Sequence, residues 1–234
     1  MEKKLPDNFY WGGSVSSFQT EGARNEGGKG VCIYDVRPTD PEFSDWSVGI
    51  DEYHRYDEDI ALMKDMGFNF YRFSICWSRI IPDGTLDEPV NEEGIKFYSD
   101  LIDKLIAAGI EPMITLVHFD MPYKLVKEHN GFASRYVVDC FERYARVCIE
   151  RFGNRVKHWM SFNEQNLHGM MLRVSNAEEI PEGVDPAKHL YQVNHNGFIA
   201  QPSGLPVYRL HGMLQRIIGL SGKNLRLFHH QAAP

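Results

Sequence analysis

The run "HWMSFNEQN" (158–166) places a carboxylate directly after an amide at the end of an apolar stretch. Glu164 in that setting can act as a general acid if burial and a neighbouring negative charge raise its pKa toward neutrality. Asn163 beside it can donate a hydrogen bond to a substrate hydroxyl. Three further polar positions carry chemistry: Gln19, Arg72, and His118 with Asp120. A guanidinium within an aromatic strand needs an acidic partner or a network of acceptors, so Arg72 serves either to hold a carboxylate ionised or to close a structural salt bridge. His118 and Asp120 form an HxD pair, but no other His or Cys at suitable spacing completes a metal site. Hydrogen bonding to substrate is the better reading of that pair.

Taken singly, an "NE" pair is more often an exposed loop feature than a catalytic one. What lifts these residues is the pattern of elements that must carry them. "FYWGGSVSSF" (9–18) reads as a strand running into a loop, and "DEDIALMKDMG" (57–67) as a helix with Ile60, Met63 and Met66 on one face and Gly67 as its stop. "FNFYRFSI" (68–75) is a strand. "NEEGIKFYSDLIDKLIAAG" (91–109) is a helix capped by Asn91, burying Ile95, Tyr98, Leu101, Ile102 and Leu105 and ending at Gly109. Strand "IEPMITLV" (110–117), helix "SRYVVDCFERYARVCIERFGN" (134–154) with Val137, Phe141, Tyr144, Cys148 and Phe152 on a face, and strand "VKHWMSFN" (156–163) follow.

This alternation of strand and helix fits either an open doubly wound sheet or a closed (βα)8 barrel, and in both function gathers at the carboxyl ends of the strands. No GxGxxG or GxxxxGK[ST] follows any strand, so nucleotide-binding versions lose their main support. A barrel of the TIM type is favoured, with about the first four βα units present. Gln19, Arg72, His118 with Asp120, and Asn163 with Glu164 then stand at or near the four strand ends and converge on one mouth. Trp11, Phe18, Trp46, Trp77, Phe119, Tyr123 and Trp159 fall near the same loops. Flat apolar faces among amides and carboxylates suit sugar rings, although aromatics this frequent also serve as core.

The 234 residues are 43% hydrophobic and 12% aromatic, enough for a sizeable core. A net charge of -7 argues against nucleic acid, which needs clustered Lys and Arg. The start, "MEKKLPDNFYWGG", has no apolar signal core, and no run is long enough to cross a bilayer, which points to a cytoplasmic protein. Cys32, Cys76, Cys140 and Cys148 lack CxxC pairing and read as reduced structural thiols. Residues 201–234 differ in kind. They contain no Asp or Glu although the chain has 32, and they carry Arg209, Arg216, Lys223 and Arg226. That segment reads as an atypical tail of frameshifted or foreign origin, or else as an ordinary basic terminus.

"FYWGGSVSSFQTEGA" (9–23), "YRFSICWSRIIP" (71–82), "TLVHFDMP" (115–122) and "SFNEQN" (161–166) together resemble, in order and spacing, the first half of a glycoside hydrolase family 1 enzyme. The resemblance implies a (βα)8 barrel that cleaves β-glycosidic bonds with retention and without a cofactor or metal. It places the acid/base on Glu164, sugar-hydroxyl binders on Gln19, His118 and Asn163, and the arginine that contacts the nucleophile on Arg72. Gln165 stands where the family usually has Pro, and "HFDMP" replaces the commoner "HWDLP"; both look like the 6-phospho-β-glucosidase branch.

Retaining hydrolysis needs a second carboxylate about 5 Å from the first. In the family it sits in a "TENG"-like motif after the seventh strand, and no such motif occurs here. The expectation is a chain that supplies the acid/base but not the nucleophile, whose full-length parent hydrolyses β-glucosides or their 6-phosphates. An open half-barrel should be unstable or self-associate through its exposed edges and be at most weakly active. The alternatives are an inactive carbohydrate-binding remnant and a truncated product without function.

Overall fold

The computed structural model describes residues 5–6, 8–37, 42, 45–167 and 180–203. Among them, strands β1 (Gly12–Ser14), β2 (Phe70–Ser74), β3 (Glu111–Val117) and β4 (His158–Phe162) form one sheet in the order β1-β2-β3-β4, parallel throughout. A doubly wound sheet reverses its strand order at a switch point, whereas a barrel adds each strand beside the last. The unbroken order is that of a barrel arc. Register runs Ser14↔Arg72, Ser74↔Thr115 and Val117↔Phe162, so side chains two apart along each strand share a face with their partners.

Short helices α1 (Ser17–Thr20), α3 (Trp77–Ile80) and α5 (Tyr123–His129) follow β1, β2 and β3. The crossovers are α2 (Glu52–Asp65), α4 (Glu92–Ala107) and α6 (Arg135–Phe152), and α7 (Pro186–Ser203) comes last. In α4, Asn91 Oδ1 accepts from Glu93 N at 3.2 Å, Glu92 and Glu93 complement the helix dipole, and Gly109 follows at φ 81°. The whole expected face, Ile95 to Leu105, is buried, with Phe97 added to it. In α6, Ser134 Oγ accepts from Tyr136 N, and Val137, Phe141, Tyr144, Cys148 and Phe152 all pack inside. Gly153 stays in the right-handed region at φ -66°, and a Cβ there would lie 2.5 Å from Ile149 O. Close approach, not a left-handed turn, explains that glycine.

The first crossover helix departs from its expected bounds. It begins at Glu52, ahead of Asp57, because Glu52 is a buried anchor hydrogen-bonded to Thr20 and Tyr71. Met66 lies past its end and is exposed, while Ile60 and Met63 face the core. That core fills the space between sheet and helices. Tyr144 donates toward the carbonyls of Ile75 at 3.0 Å and Leu116 at 2.8 Å, and its ring stacks on Trp77 with centroids 4.9 Å apart. Helix α7, which contains the segment 191–200, is pinned by Asn196 Nδ2 donating to Phe132 O at 2.7 Å. The acid-free segment 201–234 lies, from residue 204 onward, outside the described residues. No helix among the described residues is long and apolar enough to cross a membrane.

Candidate active site

Alternation along β2 turns Tyr71 and Phe73 into the core and places Arg72 and Ser74 on the other face. Register brings Thr115 of β3 to the same face, and Arg72 Nε donates to Thr115 Oγ1 at 2.8 Å. Arg72 Nη2 donates to Asn163 Oδ1 at 2.6 Å, across the intervening strand. Of the two sequence alternatives for Arg72, neither a held carboxylate nor a salt bridge is present among the described residues; neutral acceptors satisfy it. Burial lowers the Arg72 pKa and the Glu164 charge opposes that, but a guanidinium remains a fixed cation in either case.

Asn163 continues the ladder one step past β4, its N–H bonded to Val117 O at 2.9 Å. With Oδ1 committed to Arg72, its Nδ2 is the group left to donate. Glu164 follows at φ 44°, a left-handed conformation that breaks the strand and turns the chain into the 3-10 turn Gln165–Leu167. Its side chain is exposed. The burial that a general acid needs is thus not supplied by the described residues.

His118 is half-buried after β3, its ring edge-on to Phe119 at 5.5 Å and Phe18 at 6.1 Å. Burial first, and then the Arg72 charge, push its pKa down to about 4. The imidazole is therefore neutral near neutrality, and its buried Nδ1 has no hydrogen-bond partner among the described residues. Asp120 is buried and accepts from Ser17 Oγ at 2.5 Å and His118 N at 3.1 Å. The HxD pair is a tie between the β3 loop and α1. No group of three or more His, Cys, Asp or Glu that could hold a metal occurs among the described residues.

Gln19 is exposed on α1, its Oε1 accepting from Ser16 Oγ at 2.5 Å. Among the described residues no side-chain hydrogen bond joins it to another candidate. It shares their rim because Ser17 N donates to Ser74 Oγ at 2.8 Å and Ser17 Oγ to Asp120. Ser17, Ser74 and Thr115 are the positioning residues that sequence reasoning missed; small hydroxyls are too common to signal a site until register shows what they face. The aromatics divide. Phe18 stacks on Tyr34 at 3.8 Å with Trp46 edge-on at 5.3 Å, beside Gln19. Trp77 and Trp159 are instead buried in the core, and Trp11 precedes β1 at the opposite, amino end.

Four parallel strands in barrel order, with polar side chains gathered at their carboxyl ends, define the class: part of a (βα)8 barrel with its site at the usual mouth. The chain belongs to glycosyl hydrolase family 1, whose pattern matches residues 1–225. It is 43% identical over 208 residues to the aryl-phospho-beta-D-glucosidase BglH of Bacillus subtilis (strain 168), covering 85% of this chain and 44% of that protein. It is 41% identical over 228 residues to a 6-phospho-beta-glucosidase of Dickeya chrysanthemi, covering 92% of this chain and 47% of that one. A family 1 beta-glucosidase from the fungus Humicola insolens, solved in complex with glucose, superposes with a TM-score of 0.82 at 36% identity, covering 91% of this chain and 48% of that chain. The chain spans about half the length of the curated relatives it matches.

Proposed function

We propose that this chain contributes the acid/base side of a retaining β-glycosidase site, with a β-glucoside or 6-phospho-β-glucoside as substrate. The observation that carries the reading is the Arg72 to Asn163 hydrogen bond, which orients an amide donor and a fixed cation beside Glu164. Glu164 protonates the departing glycosidic oxygen and then, as a carboxylate, takes a proton from the attacking water. Gln19, His118 and Asn163 Nδ2 bind sugar hydroxyls, and the neutral His118 accepts or donates without bringing charge. Arg72 favours the ionised form of the nucleophilic carboxylate. No "TENG"-like motif is found in these 234 residues, so the reading assigns the nucleophile to a segment outside them. Names of relatives that carry "phospho" favour the phosphorylated sugar. A cytoplasmic setting is part of the reading, supported by four free thiols. In the chain taken alone, the edges of β1 and β4 invite self-association.

The test supplies the second half of the barrel from the Bacillus subtilis relative in trans, with chromogenic β-glucosides and their 6-phosphates as substrates. Turnover should appear on mixing. In Glu164→Gln the rate of the first step, read as kcat/KM, should fall steeply for aglycones that leave poorly and little for a dinitrophenolate, which departs without a proton. Equal loss on both aglycones would deny Glu164 the acid role and leave it a structural one.

A further inference from the structure

Away from the strand-end site, two of the four buried free cysteines, Cys32 and Cys76, lie on neighbouring segments that Gly30 N ties together by donating to Ser78 O at 2.8 Å. Cys32 lies in the segment after α1, fixed near the end of β3 by the bridge Cys32↔Pro122. Cys76 caps α3 just past β2. Both residues line one cavity, and Cys76 Sγ lies 3.3 Å from Ser78 Oγ. That cavity, of about 20 Å³, is lined by Lys29 and Asp35 as well and has room for about one water. Lys29 Nζ is held 2.5 Å from Asp35 Oδ2 and 3.1 Å from Gly30 O, and its charge reaches both sulfurs. Asp35 Oδ2 in turn accepts from Cys32 N at 2.7 Å, so a buried cation is locked beside a thiol pair that the sugar chemistry does not use. Cys140 and Cys148 provide the contrast. They sit more than two turns apart on α6, about 12 Å along its axis, beyond the roughly 4.4–6.8 Å Cα separation of a disulfide.

We propose that Cys32 and Cys76 form a peroxide-oxidisable dithiol, a modification site that closes to a disulfide beside the mouth of the strands. In this scheme Cys76, which caps α3, makes the first attack and Cys32, on the segment after α1, resolves it. The Cys76 sulfur gives up its proton and attacks one oxygen of hydrogen peroxide; the O–O bond breaks, water leaves and a sulfenic acid remains. The Cys32 sulfur then attacks that sulfur, the S–S bond forms, the S–O bond breaks and a second water leaves. Two thiols and one peroxide become one disulfide and two waters, with two electrons passing from sulfur to oxygen. Lys29 offsets the negative charge that develops on the attacking sulfur. A cavity this small excludes a bulky oxidant such as glutathione disulfide. Closure ties the segment carrying Tyr34, which stacks on Phe18, to the turn after β2 and so stiffens the wall beside Gln19.

The full chain, purified reduced, is treated in native buffer with hydrogen peroxide or with glutathione disulfide, quenched, and its thiols counted after denaturation. Non-reducing peptide mapping then locates any link. Peroxide should remove two of the four thiols and yield a single Cys32 to Cys76 cross-linked peptide without dimer, while glutathione disulfide removes none. The Cys140→Ser/Cys148→Ser double variant should behave identically, and Cys32→Ser should form no disulfide. Retention of all four thiols, a sulfinic acid at either residue, a link through Cys140 or Cys148, or an intermolecular disulfide would each overturn the proposal.

Discussion

Replacing Glu52 by Gln should make the stability of this chain less dependent on pH, by an amount that follows from the environment of that carboxylate. Glu52 is 3% exposed. Burial, with a smaller push from the Glu21 charge, raises its pKa from 4.5 to about 7. Tyr71 donates its hydroxyl to Oε1 at 2.9 Å, and Thr20 Oγ1 lies 2.5 Å from Oε2 and 3.1 Å from Ser16 O. The hydroxyls of Thr20 and Tyr71 donate to the carboxylate and partly oppose burial, while the neutral acid keeps the same contacts with Oε2–H donating to Thr20, Thr20 donating to Ser16 O and Oε1 accepting from Tyr71. Since the folded pKa is raised, the contribution of Glu52 is fully present below about pH 4.5 and is lost as pH rises through about 7. At about 1.4 kcal/mol per pKa unit, the loss between about pH 5 and about pH 8 amounts to about 2.5 kcal/mol. Glutamine keeps the same three contacts with Nε2 in place of Oε2–H and has no proton to lose.

Urea unfolding of both proteins at the two pH values isolates the effect, because every other titrating group cancels in the difference. Glu52→Gln should sit near the parent at about pH 5 and gain about 2 to 3 kcal/mol on it at about pH 8. A difference that stays constant within about 0.5 kcal/mol between the two pH values would refute the argument that burial keeps Glu52 neutral. The result bears on the site as well, since Thr20 ends the helix that carries Gln19.

Arg72→Met removes the positive charge that adds to burial in depressing His118. The histidine pKa, followed by NMR, should rise from about 4 yet stay below 6.5 because burial is the larger cause; an unchanged value would mean that the guanidinium is not felt at the ring. Arg79 is fully buried, with Nε 3.0 Å from Glu21 Oε2, and Glu21 also receives the Tyr98 hydroxyl. Arg79→Met should therefore cost about 3–5 kcal/mol in urea unfolding by stranding a buried carboxylate, and a loss under about 1 kcal/mol would show that Tyr98 alone suffices for Glu21.

Helices α4 and α6 could be read to within two residues because one continuous face of each is apolar and a side chain caps each start, information that is local in the chain. The start of α2 could not be read. Glu52 is a polar residue whose place in the helix is set by Thr20 and Tyr71, both distant in sequence. The same division holds in the site. Polar residues at strand ends were legible as a pattern, but which of them meet is decided by register and curvature, so neither the neutral acceptors of Arg72 nor the Ser17 and Ser74 supports could be foreseen. Aromatic content failed as a guide for Trp77 and Trp159, since a large ring near a loop in sequence can point to either side of the sheet.

The hydrogen bonds of the mouth skip strands. Ser17, past β1, meets Asp120, past β3, and Arg72 on β2 meets Asn163, past β4, with β3 contributing Thr115 between them. Strand ends two apart in a flat sheet are about 10 Å distant, a span that a short serine to aspartate contact cannot bridge without help from curvature and loop. The concave face of a barrel arc brings such ends together, and once made, the ties resist flattening. Each also uses up the polar atoms that would otherwise compete for ligand: Asn163 Oδ1, both Asp120 oxygens and the Ser17 hydroxyl are all engaged. What the ties leave uncommitted is a small set, the exposed Gln19, Asn163 Nδ2, the His118 ring and the exposed Glu164 carboxylate.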